Sequence, residues 1–196
     1  MTIAIVQYNA GNVQSVLFAL KRLGVEGILT DKPEILQTAD RVIFPGVGEA
    51  SSAMKYLKNK GLDRVIQNLT QPVLGICLGL QLLCKHSEEG NTECLGIFDL
   101  NVKKFPTDKG SKVPHVGWNS IENLQSELFS GIASGSYVYY VHSYYAEIGT
   151  ATIAQTEYIL PFSAALQYKN FYAVQFHPEK SSNVGEQILK NFLQKG

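Results

Sequence analysis

The chain opens on a continuous apolar run, Ile3-Ala4-Ile5-Val6, followed by a helix-spaced set, Val13, Val16, Leu17, Leu20 and Leu23. The run predicts a buried strand over residues 2–7. The spaced set predicts an amphipathic helix that stops at Gly24. Tyr8-Asn9-Ala10-Gly11 reads as the turn between them, with Asn12 as the helix cap. A second strand is expected near Val25–Thr30 and a third at Arg41-Val42-Ile43-Phe44, running into Pro45-Gly46-Val47-Gly48. Helical stretches near Ser51–Lys60 and Leu62–Leu69 precede a short apolar strand, Gln71-Pro72-Val73-Leu74. A leucine-rich helix from Leu80 is expected to carry Cys84 two turns on and to end at His86. Apolar strands alternating with helices predict a parallel sheet covered on both faces.

After about residue 92 the pattern changes. Strand-like pieces follow one another: Leu95–Phe105, Pro114–Ile121, Tyr137–Ala146, Ala151–Thr156, Ser163–Tyr168 and Phe171–Phe176. Antiparallel hairpins should dominate there. The chain closes on an amphipathic helix with Val184, Ile188, Leu189, Phe192 and Leu193 on one face and Asn183 with Glu186 as a capping pair. The expected fold class is α/β: a mostly parallel central sheet flanked by helices, with an antiparallel extension in the C-terminal half. No repeat, linker or low-complexity tract divides it, so residues 1–196 read as one domain.

Composition narrows the function. At 196 residues roughly 70% of the unfolded surface can be buried, enough for a full core. Charge is balanced, 17 basic against 17 acidic residues, and no basic run exceeds two residues. A nucleic-acid groove or an anionic-membrane surface is not expected. Cys77, Cys84 and Cys94 are unevenly spaced, which argues against a disulfide framework and for a reducing compartment. The N-terminal apolar run is too short for a signal peptide or a membrane span. A cytoplasmic enzyme is the expectation.

The candidate chemistry sits in two places. Gly75-Ile76-Cys77-Leu78-Gly79 puts a cysteine between two glycines where a strand turns into a helix. That is the pattern of a nucleophile elbow: the turn is tight, and a side chain on either flank would clash with strand or helix. A helix N-terminus also favours thiolate over thiol. A hundred residues later the strand-like Phe171-Tyr172-Ala173-Val174-Gln175-Phe176 ends in His177-Pro178-Glu179. Proline stops a ladder, so His177 and Glu179 lie at a strand exit, where open parallel sheets keep their sites. Cys77, His177 and Glu179 then supply nucleophile, base and orienting carboxylate.

Duller explanations suit the other candidates. Cys84 reads as core filler and Cys94 as structural or inert. His86 could cap a helix, His115 could be a strand residue with a satisfied ring, and packing is the default for His142 in its aromatic run. Cysteine and histidine never occur in paired ligand spacing, so no metal is expected. Gly46-Val47-Gly48 follows a strand and could be a turn alone, or could aim backbone N–H groups at an oxyanion. No Lys-Ser/Thr follows it, which disfavours a phosphate loop. Gln81, one turn beyond Cys77, needs a polar partner in protein or substrate.

Gly75-Ile76-Cys77-Leu78-Gly79-Leu80-Gln81 together with His177-Pro178-Glu179 resembles the triad-type (class I) glutamine amidotransferases, along the length of the chain. Gly11-Asn12-Val13-Gln14-Ser15-Val16, Pro45-Gly46-Val47-Gly48, Pro114-His115-Val116-Gly117-Trp118-Asn119, His142-Ser143-Tyr144-Tyr145 and His177-Pro178-Glu179-Lys180-Ser181 narrow the resemblance. They point to the branch that feeds a (β/α)8-barrel cyclase of the histidine pathway. Gln7 and Leu80 depart from the family pattern, which commonly has Asp and Met there. The resemblance implies that L-glutamine is hydrolysed to glutamate and ammonia without a cofactor. It implies an oxyanion hole from the backbone of Leu78 and of Val47/Gly48. It implies glutamine contacts from Gly46, Gly48, Gln81, His142, Ser143 and Tyr144. It also implies a heterodimer with the cyclase, bound through Asn12, Ser15, Trp118 and Lys180. A glutaminase serving another synthase is disfavoured by the Trp118 and Tyr144 segments. A catalytically silent regulatory module of the same fold is disfavoured by the intact Cys77, His177 and Glu179.

Overall fold

The computed structural model describes residues 1–8, 13–107, 110 and 112–194. Residues 9–11 of the expected Tyr8–Gly11 turn and the Asn12 cap lie outside the described residues. The first half runs β1 (Ile3–Val6), α1 (Val13–Arg22), β2 (Gly27–Thr30), α2 (Pro33–Thr38), β3 (Arg41–Phe44), α3 (Ala50–Lys60), α4 (Leu62–Gln67), β4 (Val73–Ile76) and α5 (Leu78–Leu83). The second half runs β5 (Cys84–Ser87), β6 (Thr92–Glu93), β7 (Phe98–Lys104), β8 (His115–Ile121), β9 (Ser136–His142), β10 (Tyr144–Ala146), β11 (Thr152–Tyr158), β12 (Leu160–Tyr168), β13 (Phe171–Val174) and α6 (Ser182–Gln194). Short 3₁₀ turns cover Glu127–Phe129 and Pro178–Lys180.

A seven-stranded sheet in the order β11-β12-β13-β4-β3-β1-β2 forms the centre. β13, β4, β3, β1 and β2 pair in parallel; β11 and β12 add antiparallel strands at one edge. β1, β3 and β4 are buried at every position. That burial is why they read as continuous apolar runs, in β3 from Val42 on, rather than alternating ones. Buried side chains pack on both faces of the sheet: Leu57, Leu62 and Leu80 on one, Leu20, Phe176 and Ile188 on the other. A four-stranded sheet, β10-β7-β5-β6, and the antiparallel pair β8-β9 flank it. No helix among the described residues is long and apolar enough to cross a membrane.

Several elements differ from the sequence reading. β4 begins at Val73 and runs through Gly75 to Ile76, so the strand enters the elbow instead of stopping at Leu74. α5 is only six residues long, and Cys84 and His86 lie on β5 rather than on its later turns. Leu82 and Cys84 carbonyls accept from Leu95 and Gly96 amides, which pull the backbone out of the helix. His86 pairs with Asn91 Oδ1 at 2.9 Å instead of capping helix carbonyls. The stretch 137–146 is two strands, broken at Ser143, because β9 pairs with β8 while β10 pairs with β7. Asn183 lies inside α6, and Glu186 pairs with Lys190 at 2.7 Å, so the two are not a capping pair. α2 escapes the periodicity because six residues are too few to show one; Pro33 at its first turn was the visible signal.

Candidate active site

Three neighbouring parallel strands end at the same edge. β13 leads to His177, β4 leads to Cys77, and β3 leads to Pro45-Gly46-Val47-Gly48. The registers place Val174 beside Ile76 and Gly75 beside Phe44. Residues a hundred positions apart are therefore neighbours, and the Cys77 amide donates to the Val174 carbonyl at 2.8 Å.

Cys77 adopts φ 54°, ψ −109°, a conformation L residues rarely take. The neighbours hold it there. A Cβ on Gly79 would overlap the Phe44 carbonyl oxygen, and a Cβ on Gly46 would lie 2.8 Å from Leu78 Cβ and overlap the Tyr8 hydroxyl. Glycine at both positions lets the elbow press against the β3 turn. Below the turn, the buried Tyr8 hydroxyl donates to the Pro45 carbonyl at 2.6 Å. Burial, then the nearby Cys77, raises the Tyr8 phenol far above its ordinary range, so it stays a neutral donor.

His177 is 2% exposed. Its Nδ1 lies 2.8 Å from Glu179 Oε1, and both side chains are buried. A carboxylate only accepts, so Nδ1 carries the proton in that bond. The other nitrogen, Nε2, is buried and has no hydrogen-bond partner among the described residues. Burial by itself would lower the imidazole's proton affinity. Cys77 and Glu179 outweigh it and raise the ring to about 10. The backbone is anchored as well: the His177 amide donates to the Tyr139 carbonyl, the Tyr139 amide donates to Ser181 Oγ, and Ser181 Oγ donates to the His177 carbonyl. The catalytic candidate is thus tied to β9.

The Cys77 sulfur opens onto a cavity of about 340 Å³, walled among others by Val47, Gly48, Gln81, Glu89, His142, Ser143 and Tyr144. The Ser143 bend between β9 and β10 forms one wall. Gly46 is buried within the turn against Tyr8 and Leu78 and does not line the cavity. Two sequence candidates have their polar atoms turned inward. His142 Nδ1 meets the Tyr144 carbonyl at 2.8 Å and its Nε2 meets His115 Nδ1 at 3.0 Å. The carbonyl can only accept, so His142 donates from Nδ1 and receives at Nε2, and His115 donates from its own Nδ1. Burial lowers His142 to about 3 and His115 to about 4, keeping both neutral. The Gln81 amide donates to the Tyr144 carbonyl at 3.0 Å and to Gln175 Oε1 at 3.2 Å, which answers the sequence question of its partner.

The expected oxyanion donors are not assembled in this conformation. The Leu78 amide donates to the Gly46 carbonyl at 3.3 Å. In a trans peptide the carbonyl and the following N–H point in opposite directions, so the Val47 N–H faces away from that bond. A void of about 10 Å³ lined by Val16, Gly46, Val47, Ile76 and His177 lies beside the turn.

Glu89 was missed from sequence. It lies in a loop after β5 with no motif around it. Its Oε2 accepts from the Ala50 amide at 2.8 Å, at the start of α3, which fixes the carboxylate in the cavity wall. Burial raises its proton affinity. Cys84 and Cys94 behave as expected of inert thiols: burial raises both, Cys94 to about 12.

Of the expected interface residues, Asn12 lies outside the described residues. Ser15 is half-buried on α1, which packs against the Pro178–Lys180 turn, and Lys180 is exposed on that turn. Trp118 is 51% exposed on β8, edge-on to Tyr139. The β8–β9 register puts Val116, Trp118, Tyr137, Tyr139 and Val141 on one outer face.

The glutamine amidotransferase class-I family model matches residues 4–195. The chain is 59% identical over 195 residues to "Imidazole glycerol phosphate synthase subunit HisH" of Bacteroides fragilis (strain YCH46), covering 99% of this chain and 100% of the relative. It is 59% identical over 194 residues to the protein of the same name from Bacteroides thetaiotaomicron, covering 98% and 99%. A crystal structure of a glutamine amidotransferase superposes with a TM-score of 0.75 at 20% identity, covering 97% of each chain, which shows the shared fold. With the family model spanning nearly its whole length, the chain belongs to the class-I glutamine amidotransferases.

Proposed function

We propose that this chain is the glutaminase subunit of an imidazole glycerol phosphate synthase and hydrolyses the side-chain amide of L-glutamine for histidine biosynthesis. The observation that supports the reading is the convergence of β13, β4 and β3, which end at one edge of the sheet in His177, Cys77 and the glycine turn, with Cys77 and the turn lining the cavity. The identity to the Bacteroides relatives supports the specific synthase.

The Cys77 thiolate, paired with the His177 imidazolium, attacks the amide carbon. His177 Nε2 gives its proton to the leaving nitrogen and ammonia departs, leaving a thioester. Water attacks the thioester as His177 takes its proton, and glutamate leaves as the thiolate is restored. Glu179 holds the tautomer and supports the imidazolium charge. Gly48, Gln81, Ser143 and Tyr144 shape the glutamine site, with Gly46 buried inside the turn. His142 supports the Tyr144 carbonyl rather than offering a ring nitrogen to substrate. Glu89 is the acidic wall that suits the substrate's α-ammonium group. No cofactor enters this chemistry, because the thiolate is the nucleophile.

Ammonia released into water becomes mostly ammonium, which does not attack carbon. The reading therefore includes a (β/α)8-barrel cyclase partner that receives ammonia directly. The exposed apolar face of β8–β9, with Trp118, and the adjoining Lys180 and Ser15 suit that partner. Free cysteines suit a reducing cytoplasm. Co-expression with the cyclase followed by synthesis assays tests the reading. Cys77→Ala should abolish glutamine-dependent synthesis while leaving ammonium-dependent synthesis intact. His177→Asn should nearly silence the glutaminase, and Glu179→Gln should weaken it less. Glutamine-dependent turnover by Cys77→Ala would sink the reading.

A further inference from the structure

Gln175 is fully buried two residues before His177. Its main-chain amide donates to the Ala164 carbonyl at 2.8 Å, which carries the ladder with β12 one residue past the end of β13. The side-chain Nε2 lies 3.7 Å from the Cys77 sulfur, and Oε1 accepts from Gln81 Nε2 at 3.2 Å. We propose that the Gln175 amide is a hydrogen-bond donor to the nucleophilic sulfur, oriented by Gln81 and the Tyr144 carbonyl, and that it favours the thiolate over the thiol. The proposal rests on Cys77 being the nucleophile.

The orientation follows from one group that cannot donate. The Tyr144 carbonyl accepts from His142 Nδ1 at 2.8 Å and from Gln81 Nε2 at 3.0 Å. The Gln81 NH₂ must therefore face that carbonyl, and its second hydrogen meets Gln175. Gln175 must answer with oxygen, which leaves its own NH₂ for the sulfur. Reversing the Gln175 amide would set NH₂ against NH₂ and oxygen against sulfur. In a buried site both losses are costly. A thiol is a weak acceptor and a thiolate a strong one, so an N–H held at this place stabilises the charged form selectively. The relay also joins the nucleophile to β9 through His142, and to β8 through His115.

Other groups act on the same sulfur: His177 with Glu179 from the 3₁₀ turn, the Tyr8 phenol below and the Val141 carbonyl at 3.9 Å, while His142 and Glu89 line the same cavity. The test leaves all of them in place. In the complex with the cyclase, the rate of Cys77 alkylation by iodoacetamide is followed against pH, with the Cys77 peptide quantified by mass spectrometry. Gln175→Met keeps the length and removes the donor. Gln175→Glu keeps an acceptor for Gln81 and turns an oxygen toward the sulfur. The alkylation midpoint should rise by about one pH unit in Gln175→Met and further in Gln175→Glu. The kcat of Gln175→Met for glutamine should fall about tenfold with KM little changed. Unchanged midpoints in folded variants overturn the proposal. If the variants fail to fold, the Gln175 side-chain amide in wild-type protein is followed by NMR. One amide proton must shift with the midpoint of Cys77 alkylation, and an unresponsive amide overturns the proposal equally. Alkylation reads the sulfur directly, so this outcome is separate from the Cys77→Ala test of glutaminase activity.

Discussion

The Leu78 amide and the Gly46 carbonyl are hydrogen-bonded at 3.3 Å. Leu78 follows the elbow cysteine, so this bond occupies a donor that an oxyanion beside Cys77 would need. Rotation of the Gly46–Val47 peptide would free the Leu78 N–H and present the Val47 N–H at once. That rotation turns ψ of Gly46 and φ of Val47, and a glycine at 46, with no Cβ, tolerates both orientations.

The subunit alone is therefore expected to hydrolyse glutamine slowly. Adding the cyclase and an acceptor-nucleotide analogue should raise kcat by at least 10²-fold, about the effect of one oxyanion donor. Glutamine affinity need not change, because the donors act mainly on the transition state. Steady-state assays of the subunit, the complex and the loaded complex decide the matter. Equal turnover in all three would remove the coupling while leaving the triad in place.

Glu89→Gln should raise KM for glutamine by about tenfold or more while kcat in the complex changes little, the effect of losing one charge-assisted bond to the α-ammonium. The variant keeps an oxygen for the Ala50 amide, so α3 should keep its start. A kcat loss with unchanged KM would place Glu89 elsewhere in the chemistry.

Stability should fall on both sides of neutrality. His115 and His142 titrate near 4 and 3 in the fold, below the ordinary 6.5. Their contribution is present above pH 6.5 and is lost as pH falls toward those values, because the unfolded chain binds protons that the neutral relay refuses. His177 is raised to about 10. Its contribution is complete below 6.5 and is lost as pH rises through 10. Urea unfolding from pH 4 to pH 10 should show both limbs. His142→Asn should flatten the acid limb and Glu179→Gln the alkaline one. A wild-type midpoint unchanged between pH 7 and pH 4.5 would contradict the neutral relay.

Gly79→Ala should destabilise the fold by about 1–3 kcal/mol or more, since the added methyl overlaps the Phe44 carbonyl and must push α5 from β3. An alanine in a helix interior ordinarily stabilises relative to glycine. The sign of the change in urea midpoint therefore separates close approach from helix propensity.

Local chemistry made the parallel strands legible: β1, β3 and β4 are buried on both faces, so apolar residues dominate there, with Arg41 at the start of β3 the charged exception. The elbow was legible because a cysteine in a tight turn demands glycine at its flanks. His177 and Glu179 were legible because proline ends the strand beside them. The relay from His115 through His142, Tyr144, Gln81 and Gln175 to Cys77 was not, since its members come from four separate segments. Glu89 was invisible for the same reason: a loop carboxylate becomes part of a site only when its neighbours in space are known. The short α5, the break at Ser143 and the bond between Leu78 and Gly46 were decided by tertiary pairing as well. A backbone amide's partner is chosen by whichever carbonyl the packed fold brings within reach, and pattern along the chain carries no record of that choice.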